Sequence, residues 1–421
     1  MARIRLAKWL YGLGLLLMPL SYATREIFGL AGITWVDPTL ILGLAAFLLL
    51  GAPMEEKAPL WLIGFTFLSA FIGMFLMPAS LDREKAALYV YYVEPIRLTL
   101  NVIWFWVSLF FLKLSRKFVL RGLAVCVVWE FSIACYLYLA FFDLVPVPET
   151  AKLYLEIYKT RQVVSWGDLS IYRMAGTFIE SPLFGLFMFS SFVIFTLTLS
   201  SVRDKHGRWA RMWMIAGGVC AFLGTVASLS DQTLLALLAL GLTFVLVRRR
   251  SNKVAQTLVW AGVVVALVFY VAHAEATRWE SDSYYTGDPM GTSISERSFH
   301  ARYGLGLLIE QPASVFTGIG PGRYGDYAVR TGYFPSTVTT QFTAIDWVVE
   351  YGVLGVSLIC WWLFRIGSHA AARFGVLGVG ALAALVIANM FQANWVWESW
   401  FLALAFLHTT VYTPALESAK T

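Results

Sequence analysis

RWESDSYYTGDPMGTSISERSFHARYGLGLLIEQPASVFTGIGPGRYGDYAVRTGYFPSTVTTQ, residues Arg278–Gln341, is the one long polar stretch of this chain. Apolar segments long enough to cross a bilayer flank it, at 254–273 and 342–364. Loops longer than about fifteen residues are uncommon unless they are functional or disordered. This one carries five arginines, many glycines and many aromatic rings, a composition that argues against disorder. It reads as a reaction chamber facing one compartment. Phe299, Tyr303, Leu305, Leu307, Leu308 and Ile309 are available to pack on a helix bundle or a membrane surface.

Working outward, the rest of the chain supplies that bundle. Hydrophobic residues make up 59% and charged residues only 14%, against about a quarter charged in a soluble domain. The chain is therefore an all-α polytopic membrane protein. Its net charge of +6 invites a nucleic-acid reading. That reading fails on position, because many basic residues sit in short runs between apolar segments, as membrane orientation requires. Cys126, Cys135, Cys220 and Cys360 all fall inside apolar segments, and no Cys/His metal spacing is present. The basic, apolar N-terminus lacks a small-residue cleavage site and reads as the first membrane helix.

A span needs about twenty predominantly apolar residues. Twelve segments qualify: 9–28, 38–54, 58–79, 97–114, 118–141, 176–200, 210–229, 231–247, 254–273, 342–364, 374–393 and 395–413. The pair 210–229 and 231–247, parted only by SLSDQ, also fits a re-entrant hairpin. Most of the 32 Lys and Arg then lie on one side, in mostly short loops. The positive-inside rule puts that side, with both termini, in the cytoplasm and the 274–341 loop outside. The expected organisation is a single membrane domain over 1–421 with two external segments, 142–175 and 274–341. In the first, Leu153, Ile157 and Val164 recur near helical spacing beside Tyr154 and Tyr158, which predicts an interfacial amphipathic helix.

Two constellations carry chemistry. In YRMAGTFIESPLFGLF, residues 172–187, Arg173 stands at the external mouth of a span. Glu180, seven residues later, falls on nearly the same face of a predicted helix. A charge inside a span is costly and usually faces a cavity or a partner. Pro182, Gly176 and Gly185 predict that this helix is broken or kinked. A snorkelling arginine and a neutralised glutamate are the plain alternative. In the second constellation, 294–328, a predicted helix over 295–310 would put Arg297, His300 and Gly304 on one face, with Pro312 as its stop. GIGPGRY, 318–324, can present backbone N–H groups to an anion, although the same residues build ordinary turns.

The order of these motifs resembles a family. Arg173 precedes a GTF-x-E-x-P element, and SLSDQ opens a following span. Arg297 lies fifteen residues before Pro312, and GIGPGRY and a helix with EYGVLG come next. Together, over roughly 170–360, they are similar to the superfamily of O-antigen ligases and O-antigen/exopolysaccharide polymerases. The resemblance implies a GT-C-like membrane glycosyltransferase that needs no metal or other cofactor. It would move a glycan from an undecaprenyl-diphosphate carrier at the periplasmic face of a bacterial inner membrane. By motif position Arg173 and Arg297 match arginines that engage the diphosphate. The histidine that many members carry ahead of the EYGVLG helix falls here at Gln341, and the SRG of the middle turn reads SDQ. The missing histidine favours the polymerase branch over the ligase branch.

The expected function is polymerisation of lipid-linked repeat units. Glycan ligation is the first alternative, and transport of the same lipid-linked sugars the second. Arginine forks suit diphosphate oxygens and stay charged. Arg302, Arg323, Tyr324, Gln341 and Asp346 are expected at the substrate. With Gln341 unable to act as a base, Glu180 leads as base, followed by His300 and Asp346. Tyr172, Tyr324 and other external aromatic residues suit sugar stacking or headgroup anchoring. A chain-length regulator and a flippase are the implied partners, and no nucleic acid is.

Overall fold

The computed structural model of the chain describes residues 2–20, 37–76, 84–148, 163–166, 169–178, 180–200, 208–248, 303–310, 312–324, 343–390 and 397–409. The expected span at 254–273, and the candidates Arg297, His300, Arg302 and Gln341, lie outside the described residues. Among those described, the protein is helical apart from one two-stranded hairpin.

The chain begins with α1 (Ala2–Leu17), α2 (Pro38–Leu49) and α3 (Ala58–Leu76). The start of α2 is set locally. Asp37 accepts the Thr39 N–H at 2.8 Å and the Leu40 N–H at 3.4 Å, and Pro38 supplies a first-turn φ that needs no N–H partner. Next comes α4 (Glu84–Phe141), one element with a non-helical residue, Ser115, near its middle (φ −151°, ψ 57°). Contacts with α1 show that the two arms run in opposite directions. Along α1, Lys8 reaches Ser115, Tyr11 reaches Ser108, and Gly14 abuts Trp104. Along the same helix, Gly12 meets Phe118 and Leu15 meets Gly122. The first arm is followed backwards and the second forwards, so α4 is two spans turned back at Ser115.

Four further helices are α5 (Ser181–Ser200), α6 (Arg208–Ala227), α7 (Asp231–Arg248) and α8 (Thr343–Phe374). The last two are α9 (Val376–Met390) and α10 (Glu398–His408). Among the described residues, five elements are long and apolar enough to cross a membrane: α3, α4, α5, α6 and α8. α2, α7 and α9 are apolar but shorter. α5 is the central helix, most of its length enclosed by neighbours. α7 packs mainly on α9 rather than on α6, so α6 and α7 do not form a closed hairpin. The main core is a cluster rich in large rings, with Trp104, Trp362 and Trp400 fully buried. Trp61, Phe75 and Phe364 point outward, as a bundle solvated by lipid allows.

The expected interfacial helix over 142–175 is corrected in part. Residues Val163–Trp166 (β1) and Leu169–Tyr172 (β2) form an antiparallel pair, with Val163 opposite Tyr172 and Trp166 opposite Leu169. β-branched Val163, Val164 and Ile171 fit a pleated strand better than a helix. Leu153 and Ile157 lie outside the described residues. Tyr172 packs on Phe141 and Phe142, with centroids 4.3 and 5.3 Å away.

The two ends of the bundle differ in character. At one end Glu56 joins three elements. It caps α3 through the Ala58 N–H (2.9 Å), takes both forks of Arg365 from α8 (3.1 and 3.0 Å), and meets His408 at the end of α10 (2.9 Å). Burial acts to raise the Glu56 pKa, but the bonds from Arg365, Ala58 and His408 outweigh it and hold the carboxyl below its ordinary value. Lys113 pairs with Glu55 at this end, and Arg373 donates to the Thr409 carbonyl at 2.8 Å. The opposite end holds the candidate site.

Candidate functional site

The sequence predicts one helix carrying both Arg173 and Glu180, and the structure corrects this. After β2 the chain passes through Arg173 and a 3-10 turn, Gly176–Phe178, and α5 begins only at Ser181. The cause is a buried carboxylate on the second arm of α4. Glu130 accepts the Thr177 N–H at 2.7 Å and the Thr177 hydroxyl at 2.9 Å. Gly176 sits at φ +56°, and a Cβ there would collide with Glu130 Oε1, so only glycine fits this turn. The Met174 N–H donates to the Ala227 carbonyl at 3.0 Å and ties the segment to the end of α6. Glu180 precedes α5 as its cap residue, its carbonyl accepting the Phe184 N–H at 3.2 Å. Arg173 and Glu180 therefore flank a turn, both half-buried, instead of sharing a helical face. The expected break in the helix is present.

The SLSDQ turn packs against this region. The Ser228 hydroxyl donates to the Thr225 carbonyl at 2.7 Å and lies 3.3 Å from the Thr233 hydroxyl. Gly185 on α5 lets the turn approach, since a Cβ there would stand 2.6 Å from Ser228 Oγ.

The glycine loop is also read differently once folded. Residues 303–310 are helical, a turn follows at 312–313, and Ser314–Thr317 form one further helical turn. Leu307, Leu308, Ile319, Tyr324 and Val349 then close a small core of their own. Several N–H groups of GIGPGRY are consumed internally. Ile319 N–H donates to the Val349 carbonyl (2.9 Å) and Gly320 N–H to the Glu350 carbonyl (3.1 Å). The Glu350 carboxylate accepts from the Gly322 N–H and, at 3.4 Å, from the Tyr324 N–H. A carboxyl group does sit in the loop, but it belongs to α8. Gly352, at φ +62°, lets the helix bend so closely that a Cβ there would lie 2.5 Å from the Gly318 nitrogen.

Tyr324 is consequently a core residue. It is fully buried, edge-on to Tyr303 at 6.1 Å, and has no open face for a sugar. Arg323 is 1% exposed. Asp346, one turn before Glu350 on α8, is buried too. Glu94, on the first arm of α4, brings another carboxyl group: a Cβ on Gly322 would stand 2.9 Å from its Cγ. Arg97 pairs with Glu94 at 3.4 Å and lies over Trp397 at 5.2 Å.

The described candidates thus gather at one end of the bundle. Arg173 and Glu180 are held by α4 and α6, and Arg323 and Asp346 by α4 and α8. Glu94, Arg97, Glu130 and Glu350 were missed by the sequence reading. Two of them carried a signal: Glu130 is a lone acid inside VVWEFS, and Glu350 is the acid of EYGVLG. Compared with family models, curated proteins and solved structures, the chain matches none.

Proposed function

We propose that the chain is a polymerase of undecaprenyl-diphosphate-linked oligosaccharide repeat units, a GT-C-type glycosyltransferase working at the periplasmic face of a bacterial inner membrane. The observation that carries this reading is the convergence of Arg173, Glu180, Arg323 and Asp346 at one end of a helical bundle, opposite the end bearing Lys113, Arg365 and Arg373. The motif order supports it.

The chemistry follows from charge. An acceptor hydroxyl attacks the anomeric carbon, the bond from that carbon to the diphosphate oxygen breaks, and the departing lipid diphosphate keeps the electron pair. Arg173 and Arg297 bind its oxygens as negative charge grows, and a water-poor site strengthens such contacts. Glu180 takes the hydroxyl proton or orients that hydroxyl. Arg323, buried in the loop, acts by holding the chamber wall. Holding both long substrates in line supplies much of the remaining rate.

The test is to mix purified protein with lipid-linked repeat units and read the products by mass. A ladder of repeats is expected, and it should survive excess chelator. A single transfer to a different acceptor would make the protein a ligase. Movement of substrate across vesicles without any new bond would make it a transporter.

A further inference from the structure

The end of the bundle opposite the candidate site holds a second cluster of chemically competent groups. Ala58 to Gly73 along α3 covers about 22 Å at 1.5 Å per residue, and Gly73 already touches the glycine loop. At the near end, one ligand atom each from Glu56, His369 and His408 lies within 4.8 Å of the other two. The residues come from three elements: the segment before α3, the far part of α8 and the end of α10.

The arrangement around Glu56 is directional. An ionised carboxylate offers about four acceptor positions. Arg365 Nε and the Ala58 N–H take two on Oε1, and Arg365 Nη2 takes one on Oε2. The fourth faces His408 Nε2 at 2.9 Å. His408 is 7% exposed, and its Nδ1 is buried with no hydrogen-bond partner among the described residues. The His369 ring lies against it, centroids 4.1 Å apart and 45° inclined. His369 is half-buried and keeps one side of the cluster open.

We propose that Glu56, His369 and His408 form a binding site for a divalent transition-metal ion of the zinc type. Two imidazoles and one carboxylate are a borderline donor set that suits such ions. The ion would stand where the proton between His408 Nε2 and Glu56 Oε2 now lies, and the ring would carry its proton on Nδ1. Ligand atoms about 2.0 Å from a tetrahedral ion stand about 3.3 Å apart, so the 2.9 Å gap would open slightly and the wider gaps, within 4.8 Å, would close around the ion. Arg365 would stay on the outer edge of the carboxylate and orient it, as outer partners of metal ligands do. Water from the open side completes the coordination. The ion would clamp α3, α8 and α10 together at this end, remote from glycosyl transfer.

The full chain, purified in detergent without an affinity tag and stripped with chelator, is titrated with Co²⁺ and then Zn²⁺. Saturable binding of one equivalent is expected, with the visible absorption of four-coordinate cobalt, displacement by zinc and a higher thermal midpoint. His369→Ala, which removes one ligand at a half-buried position, should abolish the cobalt spectrum and the thermal shift. Cys360→Ser, which removes the exposed thiol on α8, should leave both unchanged. Absence of saturable binding in the unaltered chain, or the same spectrum in His369→Ala, overturns the proposal.

Discussion

Glu130 holds Thr177 twice, by its N–H at 2.7 Å and its hydroxyl at 2.9 Å. This buried carboxylate decides where Arg173 and Glu180 stand. The same hydroxyl oxygen lies 3.0 Å from the Pro19 carbonyl, so the turn is packed against the end of α1 as well. Glu130→Ala should strand a Thr177 N–H, destabilise the protein by about 1–3 kcal/mol, and lower transfer by displacing Arg173. Thr177→Ser keeps both bonds and should remain near normal. Thermal midpoints in detergent, with transfer assays, check this. Unchanged stability and rate in Glu130→Ala would remove Glu130 from the account.

The arginines predict unequal outcomes for a conservative change. Arg173→Lys and Arg297→Lys keep the charge but lose the planar fork, so transfer should drop on the order of a hundredfold or more. Insertion and folding should persist. Arg278→Lys and Arg330→Lys lie outside the motifs and should be tolerated. Near-normal transfer in Arg297→Lys would point to a solvated, structural arginine.

Under the proposed function, Glu180 and His300 are the two candidates for the base. Glu180→Gln keeps shape and hydrogen bonding while removing basicity. It should abolish turnover yet leave binding of the lipid-linked donor largely intact. If Glu180→Gln polymerises while His300→Ala is dead, the base is the histidine. If both polymerise, the departing diphosphate takes the proton itself.

Orientation is tested by labelling in a version lacking the four native cysteines. Cysteines at Gly287 and Gly332 should react with an impermeant thiol reagent in spheroplasts, and cysteines at Ser251 and Ser368 should not. The reverse pattern would place the candidate site on the cytoplasmic side.

Gly352→Ala puts a methyl group 2.6 Å from the Phe316 carbonyl oxygen, at φ +62°. It should cost about 1–3 kcal/mol or more and loosen the glycine loop. Gly241→Ala, inside α7 with nothing within 4 Å, should be neutral or stabilise by up to about 1 kcal/mol. Equal thermal midpoints for the two variants would contradict the bend at Gly352.

The sequence by itself determined what depends on local composition. Apolar runs of span length announce α3, α5, α6, α8 and both arms of α4, because a helix in lipid must satisfy its backbone within its own segment. Pro182 and Gly176 announce the break before α5, and Pro312 the end of the 303–310 helix. Tertiary structure decided the partners. Periodicity alone cannot reveal that Glu130 reaches Thr177, 47 residues later. Nor can it show that Gly320 and Tyr324 of GIGPGRY spend their N–H groups on Glu350, or that Tyr324 joins a buried cluster with Leu307, Leu308 and Ile319. Glu56 and His408 are separated by 352 residues, so no spacing rule links them. Hydropathy records how much each residue gains by leaving water, whereas the pairing of buried charges depends on which helices pack side by side.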